Sequence, residues 1–200
     1  MENSDIKHIQ ELFGRLFVIA VQNKINFFSF TTMLAKSEFV SKIEQNHYDD
    51  YFNKPLEDIF FHITHNRIKV EESYGIYNDA YWCGISYFNL YLKTHKPLSY
   101  IFLKLPLATL IDVYAIFHEM DFSSLLDYFQ KKEKEKTILR LLCEQNKCSL
   151  TKLSVITGIK ATTLAKYNAS DEALYRGSFQ NIIKIARYFD VTVNMFVIIL

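Results

Sequence analysis

His62 and His65 stand three residues apart on an expected helix, a spacing at which two imidazoles can share a metal ion. Both are expected on the helix surface, and no metal site is assigned to them. Asp112 and Glu119 lie about two turns apart on one expected helix. Paired carboxylates can serve acid–base chemistry, but here they are expected to form the polar face of that helix. Cys143 and Cys148 flank a helix end without a second Cys/His pair to complete a tetrahedral site. Cys83 follows Trp82 inside an apolar segment and is expected to be a buried thiol. Gly-rich phosphate loops and a Gly-x-Ser-x-Gly elbow are absent. The sequence therefore assigns no catalytic residue, no metal and no cofactor, and the chain is not expected to be an enzyme.

The elements that must position any site are helical. Half of the 200 residues are hydrophobic and 16% are aromatic, which excludes a disordered chain. Gly (5) and Pro (3) are scarce, so long periodic segments with few breakers point to an all-α protein. The net charge of +1 conceals a division. Residues 1–130 carry 11 Lys/Arg against 16 Asp/Glu, and residues 131–200 carry 12 against 6. An acidic half and a basic half suggest two jobs, and only the second suits phosphate. Three cysteines make an odd count of free thiols, which suits a reducing cytoplasm. The start lacks a signal-peptide pattern, and no apolar run reaches the ~20 residues of a membrane span.

Apolar spacing predicts a first helix over Asp5 to Asn23, then shorter ones over Asn26 to Lys36 (capped by Asn26 or Ser29) and Glu38 to Gln45. Pro55 opens a helix through Ile63, and Arg67 to Tyr77 reads as a loop. Asn78 or Asp79 is expected to cap Ala80 to Lys93. Pro97 and Pro106 start helices over Leu98 to Leu105 and Leu107 to Met120, and Asp121 precedes one over Phe122 to Lys131. The charged run 131–136, a linker or a solvated helix end, is the expected boundary between an N-terminal domain, 1–130, and a C-terminal domain, 137–200.

In the C-terminal part, Thr137 to Gln145 forms a first helix and Ser149 caps a second, Leu150 to Thr157, with Leu153 and Ile156 inward. Gly158 supplies a left-handed residue just past that helix, and Ile159 anchors the turn. Lys160 to Asn168 is the third helix, with Leu164 and Tyr167 inward. After a polar stretch, Ser170 to Gly177, Ser178 caps a fourth over Phe179 to Phe189. Its stripe is Phe179, Ile182, Ile183, Ile185, Ala186 and Phe189, and Val191 opens a fifth. The run Leu153-Ser-Val-Ile-Thr-Gly158-Ile159, then Thr162-Thr163-Leu164, then Ile182 through Ala186 to Val191, resembles the Cro/cI-type phage-repressor helix-turn-helix domain. The resemblance covers about 60 residues.

That resemblance implies a sequence-specific DNA-binding regulator whose third helix lies in the major groove. It places Lys160, Ala161 and Thr162 at base edges and Thr163 and Lys166 at phosphate. Double-stranded DNA is the implied partner, read by a homodimer because one helix-turn-helix covers only a half-site. Asp171 and Glu172 fall close to where phosphate would run. The aromatic run Tyr74 to Tyr91 is expected to pack the N-terminal core. The segment from Ala80 to Tyr128 also resembles helical proteins of bacterial toxin–antitoxin operons, which implies a toxin-binding N-terminal domain and DNA binding as autoregulation. The rival expectation is a protein–protein module, an antitoxin or adaptor, whose repressor-like domain no longer binds DNA.

Overall fold

The computed structural model describes residues 3–47, 51, 53–66 and 77–196. The chain is all-α, and among the described residues there is no strand. The first helix, α1 (Asn3–Gln22), buries Ile9, Phe13, Leu16 and Phe17 on one side. It lies along α5 (Asn78–Thr94). A Cβ on Gly84 would come 2.4 Å from the Phe13 carbonyl oxygen, so this crossing requires glycine. Between them come α2 (Phe27–Lys36), α3 (Glu38–Glu44) and α4 (Leu56–Thr64). Asn26 caps α2 by accepting from Ser29 N, and Ser37 caps α3 by accepting from Val40 N. The aromatic segment does pack inward where it is described, with Cys83, Tyr87 and Phe88 fully buried. The expected loop at 67–77 lies, but for Tyr77, outside the described residues.

Two expectations need correction in the first part. Asn78 is the first helical residue of α5 rather than its cap, and Tyr77 stands at the cap position without a side-chain bond. Leu107 to Met120 is not one helix. It divides at Val113 into α7 (Leu107–Asp112) and α8 (Tyr114–Phe117), after α6 (Leu98–Lys104). No residue from 111 to 121 is buried, so packing does not hold a longer helix against its own fraying. By contrast the charged segment is a helix end, as one of its two expected readings has it: α9 (Phe122–Glu135) runs on through it. Lys and Glu are good helix formers, and Lys132 bonds both carboxylate oxygens of Glu135 at 3.0 Å.

The remaining helices are α10 (Ile138–Gln145), α11 (Leu150–Thr157), α12 (Ala161–Ala169), α13 (Asp171–Tyr175) and α14 (Phe179–Phe189). The stretch expected to be a polar loop therefore contains α13, because Ser170 accepts from Ala173 N and Leu174 is buried. The expected fifth helix is a single 3-10 turn, Val193–Phe196. One apolar core runs without a break from Ile9 to Phe196. At its centre lies α6, all seven of whose residues are buried, packed between α2 and α5 on one side and α10 and the 3-10 turn on the other. No helix among the described residues is long and apolar enough to cross a membrane.

Candidate nucleic-acid interface

Local chemistry sets the turn between α11 and α12. Ser149 accepts from Lys152 N at 3.2 Å and starts α11. Gly158 ends it at φ 67°, ψ 16°, with its N–H donating to the Ser154 carbonyl at 2.9 Å. Such a positive φ costs glycine nothing and other residues about 1 kcal/mol or more. Ser154 Oγ donates to the Ile159 carbonyl at 2.7 Å, and Ile159 is buried, so the turn is pinned from inside. Lys160, at extended angles, then leads into α12.

On α12 Leu164 and Tyr167 are buried. Lys160, Ala161, Thr162 and Lys166 are exposed and Thr163 is half-buried, so none of the five is enclosed in the core. The Tyr167 hydroxyl accepts from Asn181 Nδ2 at 3.3 Å, which fixes α12 against α14. A Cβ on Gly177 would stand 2.6 Å from that hydroxyl oxygen, and glycine keeps the space open. Thr137 Oγ1 donates to the Asn168 carbonyl at 2.9 Å and so ties the end of α12 to the start of α10.

Two inward assignments do not hold. Ile156 is 55% exposed, beside Val155 at 80%. At 100° per residue the covered arc of α11 contains Leu150, Leu153, Ser154 and Thr157, and Ile156 falls outside it. Phe179 continues the stripe of Ile182, Ala186 and Phe189, but it lies a turn beyond the edge of the core and is exposed.

Each carboxylate of residues 131–196 has a cationic partner. Glu133 pairs with Lys96 at 2.5 Å, Glu135 with Lys132, and Glu144 with Lys136 at 2.6 Å and Arg140 at 3.1 Å. The hydrogen bond from Lys136, then that from Arg140, holds the Glu144 carboxyl below its usual range. Asp171 does not cover α12. It turns inward, accepting from Lys104 at 2.7 Å and from Ile138 N at 2.6 Å. Glu172 pairs with Arg176 and Asp190 with Lys36.

Lys152, Lys160, Lys166 and Lys184 are exposed and make no ion pair among the described residues. The Lys184 ammonium lies 4.0 Å from the point where a Gly158 Cβ would stand, which brings it to the turn. Lys152 and Lys184 were not singled out by sequence reasoning. The α14 stripe already marks position 184 as outward, but its approach to Gly158 is tertiary. Exposed, unpaired ammonium groups can donate to phosphate oxygens, and a helix face of small residues lets a nucleic-acid groove come close.

The other constellations stay apart. His62 is exposed, and His65 occupies the left-handed C-cap of α4. Among the described residues no three of His, Cys, Asp and Glu gather as metal ligands. Asp112 and Glu119 are exposed on the two sides of the Val113 break. Cys83, Cys143 and Cys148 are buried free thiols, and burial pushes Cys143 up to about 11. Comparison with protein-family models, with curated proteins and with solved structures finds no match to this chain.

Proposed function

We propose that this protein is a sequence-specific DNA-binding transcriptional regulator, with α12 entering the major groove and the start of α11 meeting the backbone. The observation that carries the reading is the placement of charge. Lys184 reaches the Gly158 turn, and Lys152, Lys160 and Lys166 on the two segments that it joins are exposed and make no ion pair among the described residues, while the carboxylates of the same part are held by other cations. In this reading Lys160, Ala161 and Thr162 meet base edges, and Thr163, Lys166, Lys152 and Lys184 meet phosphate. One such unit covers a half-site, so a homodimer on a two-fold operator is the proposed assembly.

A selection from a random duplex library tests this reading. The full chain is expected to enrich a two-fold sequence, and Lys160→Ala with Lys166→Ala is expected to weaken binding to it at fixed salt. Failure to enrich any sequence, or unaltered affinity in the double variant, contradicts the reading.

A second reading, an antitoxin or adaptor that works through protein contact, is favoured by Val155 and Ile156. Two adjacent exposed aliphatic side chains on α11 suit a protein surface more than a phosphate backbone. The two readings coincide if the protein represses its own operon and also holds a toxin.

A further inference from the structure

We infer that the α8 surface of one copy of this protein docks on the α11 surface of a second copy. On α8 and the turn after it, Ile116 is 62% exposed and Met120 is 50% exposed, in a stretch that packs no residue into the core. Large aliphatic side chains left bare together mark an interaction surface. The charge along this stretch has one sign. Residues 105–130 contain Asp112, Glu119, Asp121 and Asp127, and neither Lys nor Arg. The three aspartates are exposed and make no ion pair among the described residues. Glu119 has only the imidazole of His118 near it, at 3.6 Å.

The complement lies on α11. Residues 145–170 contain Lys147, Lys152, Lys160 and Lys166, and neither Asp nor Glu. Lys152 stands three and four residues before Val155 and Ile156, so the exposed ammonium and the two bare aliphatic side chains share one helix face. Each surface thus joins two exposed aliphatic residues to charge of a single sign, and the two signs are opposite. Contact of α8 with α8, or of α11 with α11, would set like charges face to face, which costs affinity. Within one copy both surfaces are bare, so they do not cover each other and a second copy is needed to pair them. The contact uses the start of α11, which the proposed function gives to the DNA backbone, so it belongs to the DNA-free protein. The inference goes beyond that function and stands whether or not DNA is bound.

The test is sedimentation equilibrium of the full chain without DNA, between about 1 and about 300 µM, the range of a weak contact. The mass is expected to rise above that of a monomer with concentration, and less so at about 1 M salt than at about 0.1 M, because screening weakens the charge pairing. Ile116→Ser with Met120→Ser, and separately Val155→Ser with Ile156→Ser, are each expected to weaken association at least about tenfold. A mixture of the two double variants is expected to associate again, since each keeps the surface that the other has lost. If circular dichroism shows either variant unfolded, Asp112→Lys with Glu119→Lys replaces the first and Lys152→Glu replaces the second, with the same expectations. A wild-type chain that stays monomeric overturns the inference and leaves the two surfaces to other partners. Association that salt or either folded variant leaves unchanged, or a mixture no more associated than its components, also overturns it.

Discussion

The ammonium of Lys104 lies 2.7 Å from Asp171 Oδ2, and its side chain is fully buried. Its two other protons go to the carbonyls of Glu133 (3.0 Å) and Lys136 (2.5 Å). The second oxygen of Asp171 caps α10 through Ile138 N. A single lysine on α6 thus gathers the end of α9, the start of α10 and the start of α13.

Lys104→Met is expected to destabilise the protein by about 3 kcal/mol, because it leaves the partly buried Asp171 carboxylate without its counter-charge and two carbonyls without their lysine donor. Adding Asp171→Asn should recover part of that loss, since the amide oxygen keeps the bond to Ile138 N without a charge. Urea unfolding monitored by circular dichroism measures both. A loss below ~1 kcal/mol for the single variant would show the contact to be a surface pair in effect.

Gly158→Ala is expected to cost about 1–2 kcal/mol from its positive φ alone, as the space around it is open. Gly158→Asn should cost less, because asparagine tolerates that conformation. Equal stability of all three proteins would contradict the turn geometry.

The register of α11 predicts a contrast. Leu153→Ala is expected to cost about 2–5 kcal/mol, and Ile156→Ala no more than about 0.5, although both are aliphatic and three residues apart. Similar losses at the two positions would mean that Ile156 is covered in solution.

Stability is expected to fall as the pH rises from about 9 to 11. Cys143 has an ordinary value of 9.0 and is pushed up to about 11 by burial. Over that interval the unfolded chain has lost the thiol proton while the folded chain keeps it. Deprotonation therefore favours unfolding, and the contribution is intact below pH 9. Denaturation midpoints across pH 8 to 11 check the sign, and the native thiols should resist alkylation at about pH 8 until urea is added. Rapid alkylation of Cys143 in the native protein would contradict its burial.

What could be read from the sequence was what local chemistry decides. Ser149, Gly158 and Ser178 mark helix ends by bonds or dihedrals within a few residues, and the structure has them there. Leu164 and Tyr167 are buried at the expected spacing. The role of α6 was not legible, because a segment apolar on every side gives no periodicity to say what surrounds it. Lys104 and Asp171 lie 67 residues apart and look like ordinary surface charges until the chain folds. The same blindness placed Asp171 near the proposed phosphate path and left Lys184 unremarked. A pairing decided by tertiary contact has no local signature.

The most direct test of the account is the salt dependence of DNA affinity. Three lysines on phosphate, Lys152, Lys166 and Lys184, predict that log K falls with log salt at a slope of about −3 per chain. Lys152→Ala with Lys184→Ala should make that slope shallower by about 2 while the preferred sequence is retained. A slope near zero, or one that those two substitutions leave unchanged, would contradict it.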